Sequence, residues 1–246
     1  MNRDIANFEN QLECEKLVRR INNGDKVLFI AGKVPVKNLE MLLKNIEICK
    51  NICDILEKKE IKHITYLSSD AVYKDTDSKI NENSICEPDS LHGLMHLTRE
   101  KYLQSKFDNL CIVRPTLIYG IDDPHNGYGP NKFYKNAINN QNIELFGDGE
   151  EKRDHIFVED VAEIIVRLIK ISYVGKLNAT TGKTSSFSDI AIKVKDIINP
   201  SIEIIKKKRY GPMPHNGYRP FNNNKIIEMF PDFKFNNIEN WLKDIK

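Results

Sequence analysis

His92 and His96 stand four residues apart in the run Pro88-Asp89-Ser90-Leu91-His92-Gly93-Leu94-Met95-His96. On a helix that spacing puts two imidazoles one turn apart on one face. An unperturbed imidazole titrates near about pH 6.5, so such a pair can take up and release protons at cellular pH. The same pair could be half of a metal site or a polar stripe. A metal would need further ligands from distant residues such as His125 or His155, and no spacing points to them, so no metal site is expected. His63 and His215 read as surface or loop residues. A second group of polar residues is Ser68, Ser69 and Asp70, with Tyr73 close behind. Ser69 can donate to a substrate oxygen or simply form a turn. Asp70 can serve as an acid or cap the backbone, and Tyr73 can touch a sugar or pack. The segment Asp122 to Asn131 is rich in Gly, Pro and Asn and reads as a substrate loop, in which His125 and Asn131 are best able to hydrogen-bond a sugar or phosphate.

The elements that must position these residues follow from hydrophobic patterning. An amphipathic helix over 8 to 22 (Phe8, Leu12, Leu17, Val18, Ile21) stops near Asn22-Asn23-Gly24. Lys26 to Ala31 is a short apolar run ending in Gly32, which predicts a strand buried on both faces. A helix over Asn38 to Lys59, a strand over Ile64 to Ser68, the histidine helix over Ser90 to Ser105 and a strand over Leu110 to Pro115 follow. Strand and helix alternate, which argues for a parallel sheet with helices on both faces. Ligands of such a sheet sit beyond the C-terminal strand ends, where Gly32, the Ser68-Ser69-Asp70 turn and the Arg114-Pro115-Thr116 turn all fall. Further on, Glu144 to Phe146 predicts a strand, Asp160 a cap for a helix to Ile171, Lys176 to Ala179 a strand, and Ser186 or Ser188 a cap for a helix to Ile198. Pro212 to Pro220 reads as a loop, and Asn237 to Lys246 as a short helix anchored by Trp241.

Composition narrows the class. The 246 residues are 40% hydrophobic and 29% charged with a net charge of +2, the balance of an ordinary globular protein and no electrostatic case for nucleic acid. No run reaches the roughly 18 apolar residues of a membrane span, and the polar opening is no signal peptide, so a cytoplasmic protein is expected. The five cysteines have no metal spacing; Cys49 and Cys53 read as reduced core residues. Lys206 to Arg209 reads as a solvated strand end.

The stretches YLSSDAVY, LHGLMHLTREKYL, CIVRPTLIYG, LFGDGEEKRDHIFVEDVA and YRPFNNNKI, in this order, resemble the NAD-dependent epimerase/dehydratase family of extended short-chain dehydrogenases/reductases, which act on nucleotide sugars. The resemblance runs from about Lys26 to the C-terminus. It implies a Rossmann-like α/β sheet over about 1–120, with sheet contributions from about 150–180, and a smaller substrate lobe over 121–246. It places the catalytic Ser or Thr on Ser69, and it assigns Arg153 and Arg219 to the substrate's phosphates, a role that suits bidentate guanidinia. NAD or NADP at the strand ends would meet Ala31, Gly32, Ser68, His96 and Pro115.

Two departures accompany the match. The family opens with a strand and a glycine-rich turn at a helix N-terminus, whose backbone N–H groups hold the dinucleotide pyrophosphate. This sequence instead begins with a helix and goes on to what resembles the fourth strand, so an N-terminally reduced Rossmann-like sheet is expected, and the edge at Val27 to Ala31 would be covered by residues 1 to 22, a second copy or another chain. The second departure is that His92 and His96 occupy the tyrosine and lysine positions of the family's YxxxK. His92 can still exchange a proton, but a neutral His96 carries no permanent positive charge. The expected activity is NAD(P)-assisted redox chemistry at a sugar carbon, with Ser69 and His92 handling the hydroxyl proton, His96 orienting and Asp70 a further acid. A non-catalytic nucleotide-sugar-binding or partner subunit with a degenerate site is the competing expectation, and a fragment of a longer enzyme is the third.

Overall fold

A computed structural model describes residues 8–121 and 127–245. In chain order its elements are α1 (Gln11–Val18), β1 (Lys26–Phe29), α2 (Leu39–Leu56), β2 (His63–Leu67), α3 (Leu91–Lys106), β3 (Leu110–Pro115), β4 (Leu117–Tyr119), α4 (Pro130–Ile138), β5 (Ile143–Phe146), β6 (Lys152–Phe157), α5 (Val158–Ile171), β7 (Gly175–Ala179), β8 (Thr184–Ser186), α6 (Phe187–Ile198), β9 (Ile204–Lys207), β10 (Tyr218–Arg219), α7 (Asn224–Met229) and α8 (Ile238–Asp244). They form two compact units. The first draws on residues up to 74, on 82–114 and on 165–178; the second takes 75–81, 115–164 and 179 onward.

The first unit is built on a sheet of order β1-β2-β3-β7. β1, β2 and β3 pair in parallel, with Val27 opposite Ile64 and Ile64 opposite Leu110. Asn38 starts α2 by accepting from the Met41 N–H at 2.9 Å, and the helix then lays Ile48, Cys49, Ile52, Cys53 and Leu56 on Phe29, Ile64, Tyr66, Leu103, Leu110 and Ile112. Both predicted core cysteines are buried and reduced.

Two sequence expectations need correction here. The first helix covers only Gln11–Val18; beyond it Phe8 and Ile21 fold back on Cys14 and Ile55, while Leu12 and Leu17 lie outside the described side chains. β1 ends at Phe29 and is not buried on both faces: Leu28 is 40% and Ile30 63% exposed. The reason is topological, since β1 pairs only with β2 among the described residues.

In the second unit β4, β6 and β10 run parallel, β8 pairs antiparallel with β6, and β5 pairs with β9. Its core joins Tyr119, Phe133, Leu145, Phe187, Ile190, Val194 and Trp241. Ser186 caps α6 with Asp189 in a reciprocal capping box, as the sequence predicts. Asp160 does not cap α5, which begins at Val158; its carboxylate accepts from the backbone and side chain of Asn236 instead. The segment from Pro212 to Pro220 is not a plain loop, because a 3-10 turn at Pro214–Gly217 leads into β10. Lys206 and Lys207 belong to β9 and pair with Asp148 and Glu144 at the surface.

Candidate active site

The C-terminal end of β2 turns sharply. Ser69 adopts an extended backbone and its hydroxyl accepts from the Ala71 N–H at 3.2 Å, starting a one-turn 3-10 helix at Asp70–Val72. α3 lies against this turn. Ser90 caps α3 by accepting from the Gly93 N–H at 3.1 Å. Gly93 is required there: a Cβ on it would stand 2.0 Å from the Ala71 carbonyl oxygen and 2.7 Å from Pro88 Cβ. Its missing side chain lets the first turn of α3, which carries His92, close onto the turn that carries Ser69.

His92 is half-buried and His96 buried, and their rings meet edge to face with centroids 4.8 Å apart. The Nδ1 of His96 lies 2.8 Å from the Tyr66 hydroxyl on β2. Burial first, then His92 and Arg99, hold the His96 imidazole well below the usual histidine range, so it is neutral. Burial pushes the Tyr66 phenol up.

One helical turn on, a buried ion pair ties α3 to the sheet. Arg114 Nε and Nη2 donate to the two Glu100 carboxylate oxygens at 2.8 and 2.5 Å, and the Ser68 hydroxyl donates to Glu100 at 2.6 Å. Tyr73 is buried beneath the Arg114 guanidinium, 4.7 Å from ring centroid to Cζ, and donates to Asn178 at 2.6 Å. Burial raises its phenol to about 12. Asp70 is buried beside Ser69, whose hydroxyl lies 3.5 Å from its carboxylate.

Of the residues marked at the strand ends, Ala31 gives its carbonyl to Arg99 Nη1 at 2.8 Å, and a Cβ on Gly32 would press on Asn45 and Arg99. Ala31, Ser68 and His96 thus spend polar atoms on internal bonds. Pro115 closes β3 and is buried in the second unit. α2, the first helix after β1, is entered through Val34, Pro35 and Val36 and capped by Asn38. The described residues of this unit therefore lack a glycine-rich helix N-terminus for a dinucleotide diphosphate, and they do not by themselves fit that part of NAD or NADP.

The second unit brings together two residues the sequence marked separately. Arg153 on β6 and Arg219 on β10 are register partners on neighbouring parallel strands, and both are buried. Arg153 lies 3.5 Å from Glu151, and Arg219 is bonded to Asp75. His215 joins them: its Nδ1 is 2.5 Å from Asp75 and 2.9 Å from Arg219 Nη1. Burial, Arg153 and Arg219 depress its imidazole against the pull of Asp75. The reading of His215 as a plain loop residue missed this partnership, which no local spacing announces, because Asp75 lies 140 residues away. His63, also expected at the surface, is fully buried and bonded to Thr65 at 3.1 Å.

Asn131 braces the backbone, its side-chain oxygen accepting from the Gly120 N–H at 2.9 Å. His125 lies outside the described residues.

Parallel strands flanked by helices, with a Ser-bearing turn at one strand end packed against α3, are an arrangement of the Rossmann-like α/β class. The sequence profile of the NAD dependent epimerase/dehydratase family matches residues 6–177, and the chain belongs to that family. A putative UDP-glucose 4-epimerase of Methanocaldococcus jannaschii is 30% identical over 168 residues, which cover 64% of this chain and 54% of that protein. The chain spans about half the length of the curated relatives it matches. In fold it is similar to the Thermus thermophilus UDP-glucose 4-epimerase in complex with NAD (TM-score 0.83, 17% identity, 97% of this chain and 81% of that one). It is also similar to a UDP-N-acetylglucosamine 4-epimerase of Methanobrevibacter ruminantium in complex with UDP-N-acetylmuramic acid (TM-score 0.82, 20% identity, 93% and 77%).

Proposed function

We propose that this chain acts on a nucleotide sugar in an epimerase- or dehydratase-type reaction, with His92 as the general acid/base. The observation that carries the reading is the Gly93 contact, which closes the His92 turn of α3 onto the Ser69 turn at the end of β2. His92 exchanges the proton of the reacting sugar hydroxyl, and Ser69 hydrogen-bonds the same oxygen. Asp70 shapes the Ser69 turn. The neighbouring arginines Arg153 and Arg219 take the substrate's diphosphate, each exchanging a carboxylate partner for phosphate oxygens. Asn131 and Tyr73 serve as braces of the loop and the strand end, and His125 remains a substrate-loop residue of the proposal. NAD or NADP would supply the hydride acceptor that the family chemistry uses.

Titration of UDP-glucose and UDP-N-acetylglucosamine into the purified chain tests the substrate half of this reading. Binding that weakens at least about tenfold, roughly 1.4 kcal/mol, in an Arg153→Gln variant of unchanged circular dichroism is expected. Equal binding by the variant removes the diphosphate assignment. A second reading, a nucleotide-sugar-binding subunit without redox activity, is favoured by the internal bonding of Ala31, Ser68 and His96. NAD(H) fluorescence separates the two, since the redox reading requires cofactor binding at millimolar concentration or below.

A further inference from the structure

The residue at the lysine position of the histidine helix is neutral, yet a permanent cation lies close by. Arg99 is 2% exposed and one turn beyond His96 on α3. Its Nε and Nη2 donate to the Asn45 carbonyl at 3.0 and 2.6 Å, its Nη2 also to the Asn45 side-chain oxygen at 3.0 Å, and its Nη1 to the Ala31 carbonyl at 2.8 Å. Tyr66, 1% exposed, in turn stands 2.8 Å from His96 Nδ1.

We infer that Tyr66 is a positioning residue that fixes the proton of His96: the Tyr66 hydroxyl donates to His96 Nδ1, and His96 is held as the Nε2–H tautomer.

The direction of the chain follows from counting donors and acceptors. A phenol has one hydrogen to give, and His96 Nδ1 is the hydrogen-bond partner of the Tyr66 hydroxyl. If His96 donated from Nδ1, the phenol hydrogen would need a second partner inside the core, and no other hydrogen-bond acceptor reaches Tyr66 among the described residues. The arrangement with every group satisfied has the phenol donating to Nδ1, and buried polar groups adopt such arrangements. A neutral imidazole with Nδ1 accepting carries its single hydrogen on Nε2, on the far side of the ring from Tyr66. The titratable and charged groups around the pair are His92 on the same helix turn, Arg99, Glu100 and, from α2, Cys49. Burial and the two cationic or ionisable neighbours His92 and Arg99 oppose a second proton on His96, while burial keeps Tyr66 protonated.

The consequence is a division of the lysine's work. His96 presents a neutral N–H donor, and a fixed positive charge stands one turn beyond it on Arg99. The proton placement rests on geometry alone; its bearing on catalysis rests on the reading of His92 as the acid/base.

Long-range 1H–15N correlation spectra of the histidine-labelled chain read the tautomer directly. An unprotonated, pyridine-type Nδ1 and a protonated, pyrrole-type Nε2 on His96, unchanged from about pH 5 to pH 8, are expected. A Tyr66→Phe variant should lose the single tautomer, with His96 beginning to titrate within that range. A wild-type Nδ1–H tautomer, an ordinary titration of wild-type His96, or a Tyr66→Phe spectrum identical to wild type would overturn the inference. Because the wild-type spectrum suffices, a misfolded variant does not rescue it, and loss or absence of turnover bears on the proposed function only.

Discussion

His92 and His96 differ in their surroundings more than in their chemistry. His96 is buried against Tyr66 and stays neutral, whereas His92 is half-buried and precedes the Gly93 that meets Ala71 of the Ser69 turn. Replacing His92 by Ala should lower turnover by about 10²–10⁴-fold while leaving nucleotide-sugar binding within a few-fold, the split expected of a general acid/base. The buried histidines also set a pH dependence of stability. His96 is held well below its usual range, and burial drives the enclosed His155 ring down to about 3. Both are neutral when folded, and once unfolded they bind protons below about pH 6.5. The unfolded state then holds more protons, so stability is full above that pH and falls below it, by up to about 1.4 kcal/mol per pH unit for each. Denaturant titrations between pH 7 and pH 5 should show this slope, and a His96→Gln variant should show a shallower one.

α3 is positioned by two features of different legibility. Its boundaries, its Ser90 cap and the neighbouring strand over Leu110–Pro115 could be read from local sequence, because caps and apolar runs act within a few residues. Its tilt onto the Ser69 turn could not, because the need for Gly93 arises from Ala71 and Pro88, which are brought to it only by folding. Gly93→Ala should therefore cost about 1–3 kcal/mol or more by overpacking and reduce activity together with stability. The Glu100–Arg114 pair anchors the same helix, with both side chains 1% exposed. Glu100→Gln leaves a buried guanidinium without its counter-charge and should cost about 3–5 kcal/mol, measurable as a lowered denaturation midpoint. The arginine cluster was half legible. Arg153 and Arg219 each stand out by motif, but their pairing across β6 and β10 and the inclusion of His215 and Asp75 depend on β10, a two-residue strand inside a Gly- and Pro-rich stretch with no local strand pattern.

At the scale of the whole molecule, the strand order explains the failed burial expectation at β1. A strand flanked on both sides would bury Leu28 and Ile30, and β1 is flanked on one side among the described residues. Exposed apolar side chains beside an unpaired strand edge favour further association, with a second copy or another polypeptide. Sedimentation equilibrium should show self-association or capture of an added strand, weakened in a Leu28→Lys, Ile30→Lys double variant that remains folded. The chain belongs to the NAD dependent epimerase/dehydratase family, and its two histidines lie on the helix that packs on the Ser69 turn. The central test is a comparison of wild type and His92→Ala for conversion of the best-binding nucleotide sugar in the presence of NAD(P), from pH 5 to pH 8. Turnover by the wild type that falls on the acid side with an imidazole's titration, and near-complete loss in the variant, are expected. Equal turnover by the two proteins, or binding of sugar and cofactor by the wild type with no conversion at any pH, would contradict the proposed function.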